Sequence, residues 1–428
     1  MNQIQLSRNM DIRMFFGNEK YNSIWKKLKP VELLFLLITL GFFLFTVSTN
    51  KTPNNNFNNS TSIIAADSTQ KATKVTPQNN EKDPLVIYGD LLKTIESKQE
   101  ERNTLSVFIE SSRALMLKNS VIENKKDTLG NHKADSISIK LEAIKKIEAQ
   151  KVTDSLTKRV KKIDADITTF NQQIPTLKAN VQKVASEFIE KYISLANGQG
   201  YFTFKDVKYY LCVVDLQSKT QTINFHLKNK EGKSYNSISA LLKDKELDSL
   251  DFLMVTNGGM YTPNHEPQGL FIEKGKTIKP IDESNVNNNT NFYLFPNGVF
   301  YVDSNNNANI KTTTEYSKLN KTLHTKYATQ SGPMLVIDNK IHDKFVQGSK
   351  NINIRSGVGI TDNKRVIFLI SDEQVNFWDF ATVFKDILGC KNALYLDGAI
   401  SLMYLNKVNP SDVGGNFGPL ISVTKRKK

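Results

Sequence analysis

Four short clusters in the C-terminal half set glycine beside residues able to bind or react. They are Thr256-Asn257-Gly258-Gly259-Met260-Tyr261, Thr329-Gln330-Ser331-Gly332-Pro333-Met334, Arg355-Ser356-Gly357-Val358-Gly359 and Leu396-Asp397-Gly398-Ala399-Ile400-Ser401. Glycine lets a backbone approach a ligand and expose its amides, while the neighbours supply a carboxylate, a guanidinium, an amide and hydroxyls. Taken singly each cluster reads as an ordinary turn; together they suit a phosphorylated sugar. Arg355 is the natural phosphate ligand, because a guanidinium can hold two phosphate oxygens at once. Asp397 closes an apolar run, where a strand would orient a carboxylate rigidly with Ser401 close by in sequence.

Other chemistries find little support. None of the five histidines, His132, His226, His265, His324 and His342, stands in a zinc-binding pattern. No cofactor is implied, and a divalent metal is left open. His265-Glu266, between Pro263 and Pro267, reads as a solvated loop pair. Cys212 and Cys390 are too few for a disulfide framework or a four-cysteine metal site. A single disulfide between them stays open, and Cys390 reads as a small buried residue.

The elements that must position the clusters are short β-branched and aromatic runs at 209–216, 252–256, 291–295, 365–370 and 393–396, punctuated by turns such as Pro296-Asn297-Gly298. Helical segments near 238–243 and 377–388 intervene. Residues 198–428 therefore read as one α+β domain around a mixed, largely antiparallel sheet.

The ordered set Asn257-Gly-Gly-Met-Tyr, Ser331-Gly-Pro-Met-Leu-Val, Arg355-x-Gly-x-Gly and Asn392-Ala-Leu-Tyr-Leu-Asp397-Gly-x-x-Ser401 resembles the phosphodiester glycosidase family over about residues 200–425. The resemblance implies hydrolysis of a sugar 1-phosphodiester in a phosphorylated glycan. Two departures stand out. The family's usual Asn-Gly-Gly-Phe-Phe has Met260 and Tyr261 here, and its usual Leu-Asp-Gly-Gly-Gly-Ser has Ala399 and Ile400 before Ser401. Such cleavage passes through an oxocarbenium-like state and expels a phosphate monoester, a good leaving group that needs charge stabilisation more than a strong acid. Arg355 would clamp the phosphate, helped by backbone amides near Gly258, Gly259 and Gly332. Asp397 would activate water or attack the anomeric carbon. Asp372, at the end of the 366–370 run, matches an acidic position common in the family and is the second carboxylate. Asn257, Ser331, Gly398 and Ser401 complete the expected substrate contacts.

The rest of the chain reads as delivery. Its 428 residues carry a formal charge of +14, but residues 1–30 hold a net +4 and Lys425-Arg426-Lys427-Lys428 another +4. More than half of the excess sits in the tails and the interior is only mildly basic, so a nucleic-acid groove is a poor reading. Residues 31–47 are largely apolar with a single charge, Glu32, long enough at the lower limit to span a bilayer. Basic residues precede this stretch and Lys51 alone follows it, which leaves residues 1–30 in the cytoplasm and the C-terminal domain periplasmic or extracellular. We read a single-pass signal anchor followed by a polar, asparagine-rich linker at 48–82.

Residues 83–197 read as a helical spacer. Leu156, Val160, Ile163, Ile167, Phe170, Ile174, Leu177, Val181, Val184 and Phe188 follow heptad steps. Pro175 predicts a kink or restart. With an earlier helix at about 84–123 and a turn at 127–131, an antiparallel hairpin is the simpler arrangement; a parallel dimer would instead oligomerise through the coiled coil. A non-catalytic glycan-binding or envelope scaffold is the alternative to an anchored hydrolase.

Overall fold

The computed structural model describes residues 83–127, 136–195, 197–284, 290–319, 322–398 and 400–426. The expected tail, membrane span and linker at 1–82 lie outside these residues, as do positions 128–131 of the expected turn. Among the described residues no helix is long and apolar enough to cross a membrane.

Two long helices come first, α1 (Pro84–Asp127) and α2 (Ser136–Leu195). Tyr88 and Lys178 both reach Asp386, Lys98 pairs with Asp166 at 2.8 Å, and Arg102 pairs with Asp164 at 2.6 Å. Numbers rise along α1 as they fall along α2, so the helices form an antiparallel hairpin within one chain. Ion pairs this exposed add little stability; they report register. All ten seam residues from Leu156 to Phe188 are buried or half-buried, whereas Ile144 upstream is 52% exposed. Helix α2 continues through Pro175 instead of restarting there. The flanking Ile174 and Leu177 pack against the domain core, which holds the segment helical despite one lost amide.

Beyond the hairpin lie three sheets in which every strand pairing is antiparallel. The largest runs in the order β1 (Gln199–Phe204), β2 (Val207–Val214), β13 (Val366–Ser371), β12 (Ser356–Thr361), β14 (Cys390–Asp397), β10 (Met334–Ile337), β11 (Lys340–Ile341). A second holds β15 (Met403–Leu405), β4 (Asp251–Asn257), β16 (Leu420–Lys425) and β3 (Gln221–His226). The third holds β6 (Lys276–Lys279), β5 (Phe271–Glu273), β9 (Thr325–Ser331), β7 (Gly298–Asp303) and β8 (Ala308–Thr312). Short helices α3 (Ile238–Leu242), α4 (Thr313–Leu319) and α5 (Phe377–Thr382) connect them, α5 continuing into a wider turn at Val383–Ile387.

The central strands of the largest sheet are buried on both faces, which is why 366–370 reads as an unbroken apolar run. Ile367 and Leu369 point into one core; Val366, Phe368 and Ile370 point into the other. In β14, Ala393 and Tyr395 join the first core while Leu394 and Leu396 join the second. The first core also contains Leu85, Tyr88, Leu92, Val181, Ala185, Phe188 and Ile189 from the base of the hairpin. The hairpin base therefore shares the core of the β domain, and Lys205 ties it down by pairing with Glu96 at 2.6 Å and with Asp379 of α5 at 2.7 Å.

Two local expectations change. The expected strand at 291–295 is a 3-10 turn at Asn291–Tyr293: Phe292 alone goes into the interior, and the amides of Tyr293 and Leu294 bond back to the carbonyls of Thr290 and Asn291. Cys212 and Cys390 are both buried free thiols. They belong to opposite faces of the largest sheet, so no disulfide joins them. Burial pushes the Cys212 thiol up to about 12, and that of Cys390 higher still, as suits packing residues and not nucleophiles.

Candidate active site

Asp397 ends β14 where the strand leaves the sheet, and its side chain enters a cavity of about 440 Å³. The other lining residues come from two chain segments, Met260, Tyr261, Thr262, Pro263 and Gln268 from one, Thr290, Phe292 and Tyr293 from the next, with Ile400 beside Asp397 itself. Ile400 is 42% exposed and forms part of the rim, where the family's usual glycine would leave the cavity more open. Two larger clefts, of about 490 and 620 Å³, lie where the hairpin meets the body. Neither is lined by any residue of the four clusters, so volume alone does not choose the site.

The Asp397 carboxyl is pushed up to about 6 by burial, offset in part by the Gly398 amide, which donates to Oδ1 at 2.7 Å. At neutral pH it is mainly ionised yet close to protonation, the state suited to general-base work. The turn carrying it is pinned from beneath. Ser401 N donates to Gly398 O at 2.7 Å, and Ser401 Oγ lies 2.9 Å from Ser356 Oγ, which accepts from Asn257 Nδ2 at 2.9 Å. Asn257 Oδ1 in turn accepts from Leu402 N at 3.4 Å. Asn257 and Ser401 are thus brought together in a fully buried chain through Ser356, a member of the third cluster to which the sequence assigned no role of its own. They position the Asp397 turn and do not line the cavity.

Ser331 acts similarly: its hydroxyl donates to Leu396 O at 2.9 Å and accepts from Met260 N at 3.4 Å, joining the strand before Asp397 to the cavity wall. The glycines serve close packing. A side chain at Gly259 would strike Gln330 O and Thr329 Oγ1 at 2.5 Å, and one at Gly398 would strike Tyr395 Oη at 2.5 Å. The amides of Gly258 and Gly259 already donate to Pro419 O at 2.8 Å and Thr329 Oγ1 at 3.2 Å. They are not free to hold a phosphate, and Gly332 is buried outside the cavity lining.

Arg355 lies inside the core and not on the cavity lining. It is completely buried, its guanidinium carbon 3.6 Å from the Phe377 ring centroid. Nε donates to Val375 O at 2.8 Å, Nη2 to Asn351 O at 2.9 Å, and Nη1 to Tyr395 Oη at 3.3 Å. Burial lowers its pKa, opposed by Tyr395, but an arginine remains charged in any such setting. Since Tyr395 Oη also packs beneath Gly398, Arg355 sits behind the Asp397 turn, inside the core. Asp372 also lies off the cavity lining. It is exposed beyond β13, its amide donating to Lys208 O at 2.8 Å. Ser356 pairs with Asp397 on one side and Ile370 on the other, so Asp372 lies two strands away, about 10 Å in the sheet.

His265 stacks on Tyr261 at 5.6 Å and its Nδ1 lies 3.1 Å from Phe417 O, while Glu266 pairs with Lys228 at 2.9 Å. Both stay off the cavity lining. Sequence reasoning missed Gln268, Phe292 and Tyr293. The signal available for the last two was the aromatic run ending at Pro296, which marks a turn as readily as a strand. Among the described residues no group of three metal-ligating side chains is gathered.

The family model for phosphodiester glycosidases matches residues 251–420. The protein YigE of Escherichia coli K12, itself described as uncharacterized, is 32% identical over 187 residues, 44% of this chain and 71% of that protein. Among solved structures, the catalytic domain of zebrafish N-acetylglucosamine-1-phosphodiester alpha-N-acetylglucosaminidase, auto-inhibited by its pro-peptide, is 18% identical with a TM-score of 0.39, over 51% of this chain and 78% of that one. A hypothetical protein from Synechocystis is 12% identical with a TM-score of 0.34, over 53% of this chain and 61% of that one.

Proposed function

We propose, because the chain belongs to the phosphodiester glycosidase family, that it hydrolyses the bond between an anomeric carbon and a phosphodiester in an envelope or extracellular glycan. The observation that carries this is the cavity wall. Asp397 is its one carboxylate among the described residues. A glycosidase acting on an ordinary glycoside needs a second carboxyl group to protonate the departing alkoxide. A phosphate monoester departs without that help, so one carboxylate suffices.

In this reading the C1–O bond to phosphate breaks with its electron pair going to the phosphate oxygen. Ionised Asp397 either takes a proton from the attacking water or bonds to C1 before water releases the sugar. The apolar and aromatic side chains of the wall, Met260, Phe292 and Ile400, thin the water around the carboxylate, and this partial desolvation raises its basicity. We further propose that residues 31–47 anchor the protein with this domain outside the cytoplasm.

The test uses the full-length protein with methyl phosphodiesters of N-acetylglucosamine, glucose and mannose at the anomeric position, and with methyl glycosides of the same sugars. Release of methyl phosphate from a diester, with the methyl glycosides untouched, is expected. Equal turnover of phosphate-free glycosides overturns the assignment. A second reading, a glycan-binding scaffold without turnover, draws support from the internal use of Arg355; sugar binding with no hydrolysis of any diester would favour it.

A further inference from the structure

On the wall that Asp397 shares, the hydroxyl proton of Tyr293 is already committed. Tyr293 Oη donates to Asp282 Oδ2 at 2.8 Å and accepts from Gln268 Nε2 at 3.3 Å. Tyr293 and Gln268 line the cavity; Asp282 stands behind them. Asp282 is unusually well held for a loop residue. Buried Gln330 accepts its amide at 2.9 Å and donates to its carbonyl at 2.7 Å, and is itself fixed by Leu270 N at 3.0 Å and Thr313 Oγ1 at 3.1 Å. Ser284 donates to Asp282 Oδ1 through its amide at 2.9 Å and through its hydroxyl. Burial alone would raise the Asp282 carboxyl, but the bonds from Ser284 and Tyr293 and the charge of Lys279 outweigh it and hold the group below the usual carboxylate range. It is an ionised acceptor at neutral pH.

A phenol has one proton and two lone pairs. With the proton given to Asp282 and Gln268 on one lone pair, what Tyr293 offers the cavity is acceptor capacity alone. A phosphate oxygen, itself only an acceptor, gains nothing there, whereas a sugar hydroxyl or amide N–H finds a partner. Phe292, edge-on to Tyr293 at 4.9 Å, adds an apolar surface on the same wall.

We propose that Tyr293 is a specificity-determining residue that accepts a hydrogen bond from a hydroxyl or amide donor on the sugar, and that Asp282 is the positioning residue that keeps the phenol proton turned away from the ligand. This wall then takes the sugar end of the substrate and leaves the phosphate on the opposite side of the scissile bond. The inference rests on the reading of the cavity as a sugar site, but not on turnover.

The test is binding, measured by titration calorimetry on the full-length protein. The probes are the methyl α-glycosides of glucose, mannose and N-acetylglucosamine, and analogues of each with one hydroxyl replaced by hydrogen or fluorine or the amide N-methylated. For a sugar the parent binds, one such replacement should weaken binding about tenfold or more, since a site built to pair a donor is left with an unpaired group. Tyr293→Phe should bind that sugar and that analogue equally. Asp282→Asn keeps the Oδ1 contacts to Ser284 while its amide can donate to Tyr293 Oη; the freed phenol proton should abolish the discrimination with the tyrosine still present. Loss of discrimination in both variants, with thermal unfolding midpoints near the parent's, supports the proposal. Retention of the parent's discrimination in Tyr293→Phe or in Asp282→Asn overturns it, as does failure of the parent to bind any probe. Discriminating binding without diester hydrolysis would sink the enzymatic assignment and leave this inference standing.

Discussion

Replacing Asp397 by asparagine should make the protein more stable and nearly inactive. The carboxyl sits at about 6 in the fold because burial disfavours its charge, against about 3.9 in an unfolded chain. At about 1.4 kcal/mol per unit, the ceiling on what the buried charge costs is about 3 kcal/mol. The residue is half-buried at the cavity surface, and solvent screening reduces this to about 1–2 kcal/mol. The sign follows from proton counting. Between about pH 4 and 6 the folded state holds more protons than the unfolded one, so parental stability falls as pH rises through that window and is level above it. Asparagine carries no charge and keeps an oxygen for the Gly398 amide. Scanning calorimetry at pH 7.5 should therefore show Asp397→Asn melting a few degrees above the parent, a gap that shrinks below pH 6 and vanishes near pH 4. Turnover should fall by about 10²- to 10⁴-fold, and parental kcat/KM should climb with pH through an apparent pKa near 6. A variant that melts below the parent at pH 7.5, or a gap independent of pH, would refute the reasoning.

Three further outcomes follow from the same structure. Arg355→Lys cannot reach Val375 O, Asn351 O and Tyr395 Oη at once, so it should lose about 2–4 kcal/mol of stability in chemical denaturation; unchanged stability with a raised KM would return Arg355 to the phosphate. Deleting residues 84–195 uncovers Phe202, Phe204 and Ile387, so the remainder should aggregate or unfold without cooperativity, and a clean parental transition by circular dichroism would show the hairpin dispensable. For the proposed anchor, protease added outside spheroplasts should digest the C-terminal domain, and protection until lysis would reverse the orientation.

Much of the local structure was legible because its causes are local. The run at 365–370 and the segment before Asp397 read as strands because both faces are buried, and the heptad steps of α2 read as a helix face because that face is covered. The placement of Asp397 at a strand end followed from the glycine and polar residues after an apolar run, and the ordered clusters carried the family resemblance. What only the tertiary structure decided concerns partners drawn from distant parts of the chain. The sequence shows Arg355 as a charged residue two positions before a glycine; that its donors meet Asn351, Val375 and Tyr395 under the Phe377 ring depends on three separate segments converging, 351–355, 375–377 and the strand carrying Tyr395. Asp372 and Asp397 look equivalent as strand-end carboxylates, and only the order β13-β12-β14 sets them two strands apart. The cavity wall joins 260–268 and 290–293 to Asp397 through packing that leaves no periodic trace, and the heptad positions Val181 and Phe188 mark a covered face without showing that the β domain's core covers it. Periodicity reports which face of an element is covered; it carries no information on what covers it, because apolar surface is buried equally well by any neighbour of the right shape.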